Sequence, residues 1–185
     1  MATGPGGTLY AFAEQGLLQG YGDGTYRPDE PMTRAQFAAL VNRVTGLTAQ
    51  ADLSGYTDVP EDAWYAPELA KALAAGYLQG TSDTTLSPET PVTREQAVTL
   101  LSRLLGLRAD QADVDALNRY ADGTRVSDWA VDAFASMVRE GYVEGMTGNT
   151  LSPDTVLTRA QGVTLLSRTM EALQAVSAGT FRDGV

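Results

Sequence analysis

Apolar residues recur with a helical period in two kinds of segment along the chain. In the first kind they stand four positions apart on one helix face, as at Leu69 and Leu73, and a glycine suited to a left-handed cap follows. The pattern predicts three helices of this kind, over residues 9–15, 64–75 and 129–140.

The second kind of segment begins with Thr-x-x-Gln, which is a capping box. The Thr hydroxyl accepts a hydrogen bond from a free helix N–H, and the Gln side chain reaches back to the Thr amide. An apolar stripe follows, such as Leu100, Leu101 and Leu104. The capping boxes predict helices that begin at Thr33, Thr93 and Thr158.

The helix-loop-helix unit occurs three times, because its landmarks recur at intervals of 60 and 65 residues. The landmarks are a Gly-x-x-x-Gly motif, a proline, a Thr-Arg pair and a later arginine. They begin at Gly16, Gly76 and Gly141; Pro28, Pro88 and Pro153; Thr33, Thr93 and Thr158; and Arg43, Arg103 and Arg168. One unit has too small an apolar face to fold alone, so we expect the units to share a core.

The repeats predict an all-α, pseudo-threefold and three-pronged body around a central bundle of the three capped helices. Short extended segments are expected at the aromatic residues that open the repeats. The extra five residues of the second interval are interpreted as a linker insertion, mostly within residues 109–119. The predicted repeats span residues 8–47, 56–107 and 120–174.

The two ends of the chain complement each other. Repeats two and three open with aromatic-x-Asp, ending at Asp58 and Asp122, whereas the first repeat has no such opening. The motif reappears as Phe181-Arg-Asp183, in register with the others. We therefore expect residues 178–185 to complete the first repeat; the beginning of a further repeat is the alternative.

Composition removes most catalytic chemistry. The chain has no His and no Cys, which excludes imidazole bases, thiolate nucleophiles, disulfides and the usual zinc or haem sites. A net charge of −10 disfavours nucleic acid as a partner. No apolar run approaches the ~20 residues that cross a bilayer, so we expect no membrane insertion. We expect a non-enzyme without cofactor or metal.

In their order, these motifs resemble the S-layer homology domain, whose repeat runs aromatic-x-Asp, Trp, helix, a Gly-rich turn, Asp-Gly-Thr-aromatic-x-Pro and Thr-Arg-Ala-Glu. The strongest fragments are Trp64-Tyr-Ala, Asp23-Gly-Thr-Tyr-Arg-Pro and Thr33-Arg-Ala-Gln. The resemblance implies a monomeric, extracellular module of a bacterial S-layer or cell wall. Its implied ligand is an acidic, often pyruvylated secondary cell-wall polysaccharide or a peptidoglycan-linked polymer. A protein–protein assembly module of the cell surface is the alternative.

Three arginines are the first candidates for ligand contact. Each occupies the first helical position, where a cation opposes the helix dipole. A bound anion at the helix end would explain this placement, and an ion pair with Asp29, Glu89 or Asp154 is the alternative. Gln replaces the family's Glu after each arginine, which favours an anionic ligand. The candidates are Arg34, Arg94 and Arg159.

Three further candidates also have structural alternatives, and for Asp23 the structural role in a turn is favoured. Trp64 and Trp129 could stack on a sugar or be buried at a helix start. Asp23 could contact ligand, but an Asp-Gly pair also forms turns. The preferred site is the groove between the first two repeats, where Arg34 and Trp64 are expected to meet. Gly162 indicates close packing or space for a ligand.

Overall fold

A computed structural model describes residues 5–177 of the chain as an all-α fold, which confirms the predicted class. The segment 178–185, predicted to complete the first repeat, lies outside the described residues. Within the described range, no helix combines the length and apolar character needed to span a membrane. The helices found there are α1 (Pro5–Glu14), α2 (Arg34–Thr45), α3 (Ala66–Ala74), α4 (Arg94–Leu105), α5 (Gln111–Ala116), α6 (Val131–Arg139) and α7 (Arg159–Ser177).

The capped helices begin where the sequence predicts. At α2, Gln36 N donates to Thr33 Oγ1 at 3.2 Å and Thr33 N donates to Gln36 Oε1 at 3.1 Å. The same pair of bonds begins α4 and α7. Glycines in the left-handed conformation end α2 and α4. The third repeat has Glu171 at that position, and α7 continues to Ser177.

The other repeat helices start at different residues from those predicted. Helix α3 begins at Ala66 and α6 at Val131, each two residues after the Trp expected to open it. Pro67 fits only in the first turn of a helix, which fixes the start of α3 close to it. Trp129 lies instead in a 3-10 turn, Asp128–Ala130.

The stretch inserted before the third repeat forms a short helix of its own. Helix α5 has its own capping box, formed by Asp110 and Asp113. It packs against α6, where Arg139 Nη1 lies 2.6 Å from Asp113 Oδ2. Four polar groups at the helix start therefore explain why an insertion without a long apolar stripe is ordered.

The chain divides into two compact units, residues 1–92 with 157–185, and residues 93–156. In the first unit α2 packs against α3 and α7, and α1 packs against α7. Phe37, Leu40, Leu69 and Tyr77 are among its fully buried side chains. In the second unit α4 and α5 pack against α6.

Equivalent residues of the three repeats form a closed cycle of main-chain hydrogen bonds in the first unit. Met32 N donates to Leu157 O at 2.9 Å, Leu157 N to Val92 O at 3.0 Å, and Val92 N to Met32 O at 2.9 Å. Each residue precedes a Thr-Arg pair. Extended backbone lies here and, as the sequence predicted, at Tyr120, whose φ of −90° and ψ of 141° are in the β region. Within residues 5–177 the backbone pairs as isolated bridges, not strands.

Gly162 lies close to this cycle and marks tight packing. A Cβ atom at this position would stand 2.7 Å from Met32 Sδ and 3.2 Å from Met32 Cε. Met32 is fully buried, so the space beside Gly162 is filled by protein.

Candidate ligand-binding groove

The arginine of each Thr-Arg pair forms hydrogen bonds with the loop between the two helices of another repeat. The guanidinium donates two hydrogen bonds, from Nε and Nη2, to main-chain carbonyl groups that are in register across the repeats. The acceptors are Leu86 and Gln79 for Arg34 (3.0 and 3.2 Å), Leu151 and Glu144 for Arg94 (2.9 and 2.9 Å), and Tyr26 and Gln19 for Arg159 (2.8 and 3.0 Å).

Burial distinguishes two of these arginines from ordinary surface cations. Arg34 is 5% exposed and Arg159 is 4% exposed. Desolvation lowers the pKa of both guanidinium groups. The hydrogen bonds to carbonyl groups compensate for the loss of water around the two guanidinium groups. The acceptors are therefore main-chain carbonyl groups, whereas the alternative considered from the sequence was an ion pair with a carboxylate. Asp154, for example, pairs with Arg125 at 2.6 Å.

The aromatic-x-Asp carboxylates hold the same loops. Asp58 accepts hydrogen bonds from the main-chain amides of Leu86 and Ser87, and Asp122 does the same in the third repeat. An Asp shortly before the first helix of a repeat could have capped that helix. The structure shows that they brace the loop instead.

A groove of about 220 Å³ opens in the first unit beside one of these loops. Its walls come from the loop of repeat one, from α2, from the start of α7 and from the turn before α3. Of the eleven described residues that line it, two are arginines and none is acidic. They are Leu18, Gln19, Gly20, Tyr21, Met32, Gln36, Ala39, Leu40, Arg43, Trp64 and Arg159.

Trp64 presents its indole to solvent at the edge of this groove. The residue is 57% exposed, and its equivalent Trp129 in the second unit is 53% exposed. The flat apolar face of an exposed indole suits a sugar ring. Both tryptophans therefore lie outside the core, unlike the buried alternative considered from the sequence.

Two guanidinium groups supply the positive charge of the groove. Arg43 Nη1 donates to Leu17 O at 3.4 Å, and Arg43 Nη2 donates to Gln19 Oε1 at 3.2 Å. The two carbonyl bonds of Arg159 use two of its five N–H groups. Arg159 also lies over the Tyr21 ring, 5.0 Å from its centroid. The groove thus combines cations, an aromatic face and the amide of Gln36.

The structure does not place Arg34 in this groove, where the sequence predicted that it would meet Trp64. The structure brings Trp64 together with Arg159 of the third repeat, while Arg34 holds the loop of the second repeat. The distance in sequence between Trp64 and Arg159 hides their proximity. Arg43 was missed as a candidate, although its recurrence as Arg103 and Arg168 was a signal available from the sequence.

The Asp23 side chain forms its contacts within the turn in which it lies. Its Oδ1 accepts hydrogen bonds from Thr25 Oγ1 at 2.7 Å and Thr25 N at 3.0 Å, and its Oδ2 lies 3.0 Å from Arg27 Nη2. The Thr25 hydroxyl, the Thr25 amide and Arg27 together hold the pKa of Asp23 well below its usual range. These contacts match the turn-forming alternative.

Comparisons with known proteins agree with the repeat pattern. The family model of the S-layer homology domain matches residues 7–38, 55–98 and 119–161. Over 170 residues the chain is 28% identical to "Surface-layer 125 kDa protein" of Lysinibacillus sphaericus, covering 90% of this chain and 14% of that protein. It is 33% identical over 163 residues to "Cell surface glycoprotein 1" of Acetivibrio thermocellus, covering 83% and 7%. "Cellulosome-anchoring protein" of Acetivibrio thermocellus is 25% identical over 164 residues, covering 84% and 35%. The chain therefore spans a minor part of each relative.

Proposed function

Because the chain belongs to the S-layer homology domain family, we propose that it is a non-catalytic module that anchors a surface protein to the bacterial cell wall. Its location is the cell surface, as the family and the surface-layer relatives indicate. The proposed ligand is an acidic secondary cell-wall polysaccharide that carries pyruvate. The anchored cargo is an S-layer subunit or another surface protein.

The observation that supports this proposal is the groove, which joins an exposed indole to two arginines. A pyruvylated sugar carries one carboxylate beside an apolar ring face. Arg43 and Arg159 offer planar donors for the carboxylate, and Trp64 offers a surface on which the ring can stack. Gln36 contributes a neutral donor, where the family's usual Glu would repel the ligand.

Long-range electrostatics oppose this encounter, because the chain carries a net charge of −10. Physiological salt screens that repulsion beyond ~8 Å, so the groups inside the groove decide whether an anion binds. Burial lowers the pKa of Arg159, and an anion bound beside it would offset that effect.

A second polymer contact is proposed in the second unit. Gln96, Arg103 and Trp129 are in register with Gln36, Arg43 and Trp64. The 3-10 turn that carries Trp129 packs against α4, on which Gln96 and Arg103 lie. Glu95 steadies this turn by accepting hydrogen bonds from Ser127 N at 3.2 Å and Ser127 Oγ at 3.0 Å. In this scheme Arg34 and Arg94 act by holding loops.

Cosedimentation with purified cell-wall sacculi tests the proposed function. We expect the chain to sediment with native sacculi and to remain in solution after the secondary polymer has been stripped from them. Binding that survives stripping would contradict the polysaccharide assignment and indicate peptidoglycan or a protein partner.

A further inference from the structure

A cluster of polar side chains lies between α2 and α3, and none of its members lines the groove described above. Glu68 on α3 accepts hydrogen bonds through both carboxylate oxygens. Its Oε1 accepts from Lys71 Nζ at 3.0 Å, and its Oε2 accepts from Asn42 Nδ2 at 2.8 Å. Asn42 lies on α2, and Lys71 is the only lysine in the sequence. The carboxylate therefore joins an amine and a carboxamide from two packed helices.

Tyr77 adds a donor on the other side of the Asn42 carboxamide. Its hydroxyl group donates to Asn42 Oδ1 at 2.8 Å and lies 3.2 Å from the carbonyl oxygen of Ala38. Tyr77 is fully buried, and burial raises the pKa of its hydroxyl group, so the phenol remains protonated. A donor on the oxygen of the carboxamide polarises its carbonyl carbon and makes that carbon more susceptible to a nucleophile.

The cluster is largely shielded from water. Asn42 is 3% exposed, and the side chains of Glu68 and Lys71 are 16% and 23% exposed. Exclusion of water favours attack on the carboxamide by a neighbouring amine over hydrolysis. A nucleophile, a proton acceptor, an electrophilic carbon and a donor for its oxygen are thus present in one buried place.

The second unit shows that these two helix positions face each other. Ser102 and Ser136 are in register with Asn42 and Lys71 across the repeats. Their hydroxyl oxygens lie 3.3 Å apart, and both residues are buried. Neither serine offers an amine, so the reactive combination is confined to the first unit.

We propose that Lys71 and Asn42 form an intramolecular isopeptide bond, with Glu68 as the proton carrier. Proton transfer from the Lys71 ammonium to Glu68 leaves a neutral amine, which attacks Asn42 Cγ. The Nζ–Cγ bond forms, and the Tyr77 hydroxyl group stabilises the negative charge on Oδ1. Glu68 then protonates Nδ2 and accepts the surplus proton of Nζ, while the Cγ–Nδ2 bond breaks. The products are a secondary amide and one molecule of ammonia, and no oxidant is required.

The bond links two elements that border the groove. Helix α2 supplies Gln36 and Arg43 to the lining, and α3 begins two residues after Trp64. Separating α2 from α3 then requires breaking a covalent bond, which suits a module that bears a load. This effect does not depend on which polymer or partner the groove binds.

Mass spectrometry of the purified intact chain and of Lys71→Arg tests the proposal. The intact chain should weigh about 17 Da less than its sequence gives, because one ammonia is lost, whereas Lys71→Arg keeps its cation and should have full mass. In a tryptic digest of the intact chain, residues 35–43 should be joined to residues 44–94, uncut after Lys71. Glu68→Gln lacks the proton carrier, so it should have full mass and be cut after Lys71.

Two results would overturn the proposal. The first is an intact chain of full mass that trypsin cuts after Lys71. The second is the same loss of mass in a chain that trypsin still cuts after Lys71, because a succinimide at an asparagine would then account for the ammonia. Neither measurement involves polysaccharide, so a failure here is distinguishable from failure of the anchoring proposal.

Discussion

Arg34 donates a hydrogen bond from Nε to the carbonyl oxygen of Leu86, at 3.0 Å and across 52 residues of sequence. The bond joins the start of a helix in the first repeat to the loop of the second. A cation at the first position of a helix opposes the dipole, so the placement needs a compensating contact. The carbonyl oxygens of the neighbouring loop provide it.

Replacing Arg34 by Ala should therefore destabilise the fold. The substitution removes two charged hydrogen bonds at a residue that is 5% exposed, and we expect the free energy of unfolding to fall by about 1.5–3 kcal/mol. Urea denaturation measures the change. Arg34→Lys should recover only part of it, because an ammonium lacks the planar fork.

The control for this variant is Arg108→Ala, since the Arg108 side chain is 81% exposed. Its effect should stay within about 0.5 kcal/mol. Equal stability of the intact chain and Arg34→Ala would show that the two carbonyl contacts add nothing to the fold.

Gly80, in the Gly-x-x-x-Gly motif, is expected to resist substitution. A Cβ atom there would collide with the carbonyl oxygen of Ser82 and stand 3.0 Å from that of Thr85. Because these are main-chain atoms, Gly80→Ala should lower the free energy of unfolding by about 1–3 kcal/mol. Thermal unfolding followed by circular dichroism measures it.

The matched substitution is Gly55→Ala, where a Cβ atom would have no neighbour within 4 Å. It should change stability by no more than about 0.5 kcal/mol. If both alanines cost the same, close packing of the loop is not the reason for glycine at position 80.

The sequence predicted the helices better than it predicted their contacts. Capping boxes are local, so Thr33, Thr93 and Thr158 could be assigned from four residues each. The cycle through Met32, Val92 and Leu157 joins distant segments and leaves no local pattern.

The candidate site shows the same difference between features that are local in sequence and contacts between distant residues. Trp64 could be recognised from its place in the repeat, but its neighbour Arg159 lies 95 positions away in sequence, and only packing brings the two together. Arg43 repeats in register, but its role at the groove depends on which face of α2 is covered.

Cutting the chain within residues 48–55 should leave the N-terminal fragment unfolded on its own. Helices α1 and α2 would be separated from α7, against which both pack. Each isolated fragment would expose an apolar face that its partner covers, whereas the two fragments mixed should regain helical structure together. Circular dichroism of the fragments, separate and mixed, measures this. A cooperative melting transition in the isolated N-terminal fragment would contradict the shared packing.

Calorimetric titration with purified secondary cell-wall polymer tests the proposed groove most directly. Trp64→Ala removes an indole that is 57% exposed, so it should leave the thermal stability unchanged while weakening binding by about 1–3 kcal/mol. Arg43→Ala should cost about 1.5–3 kcal/mol of affinity, and the double variant should bind more weakly than either. Arg108→Ala, outside the groove lining, should bind as the intact chain does. An affinity of the folded Trp64→Ala, Arg43→Ala double variant equal to that of the intact chain would contradict the proposed site.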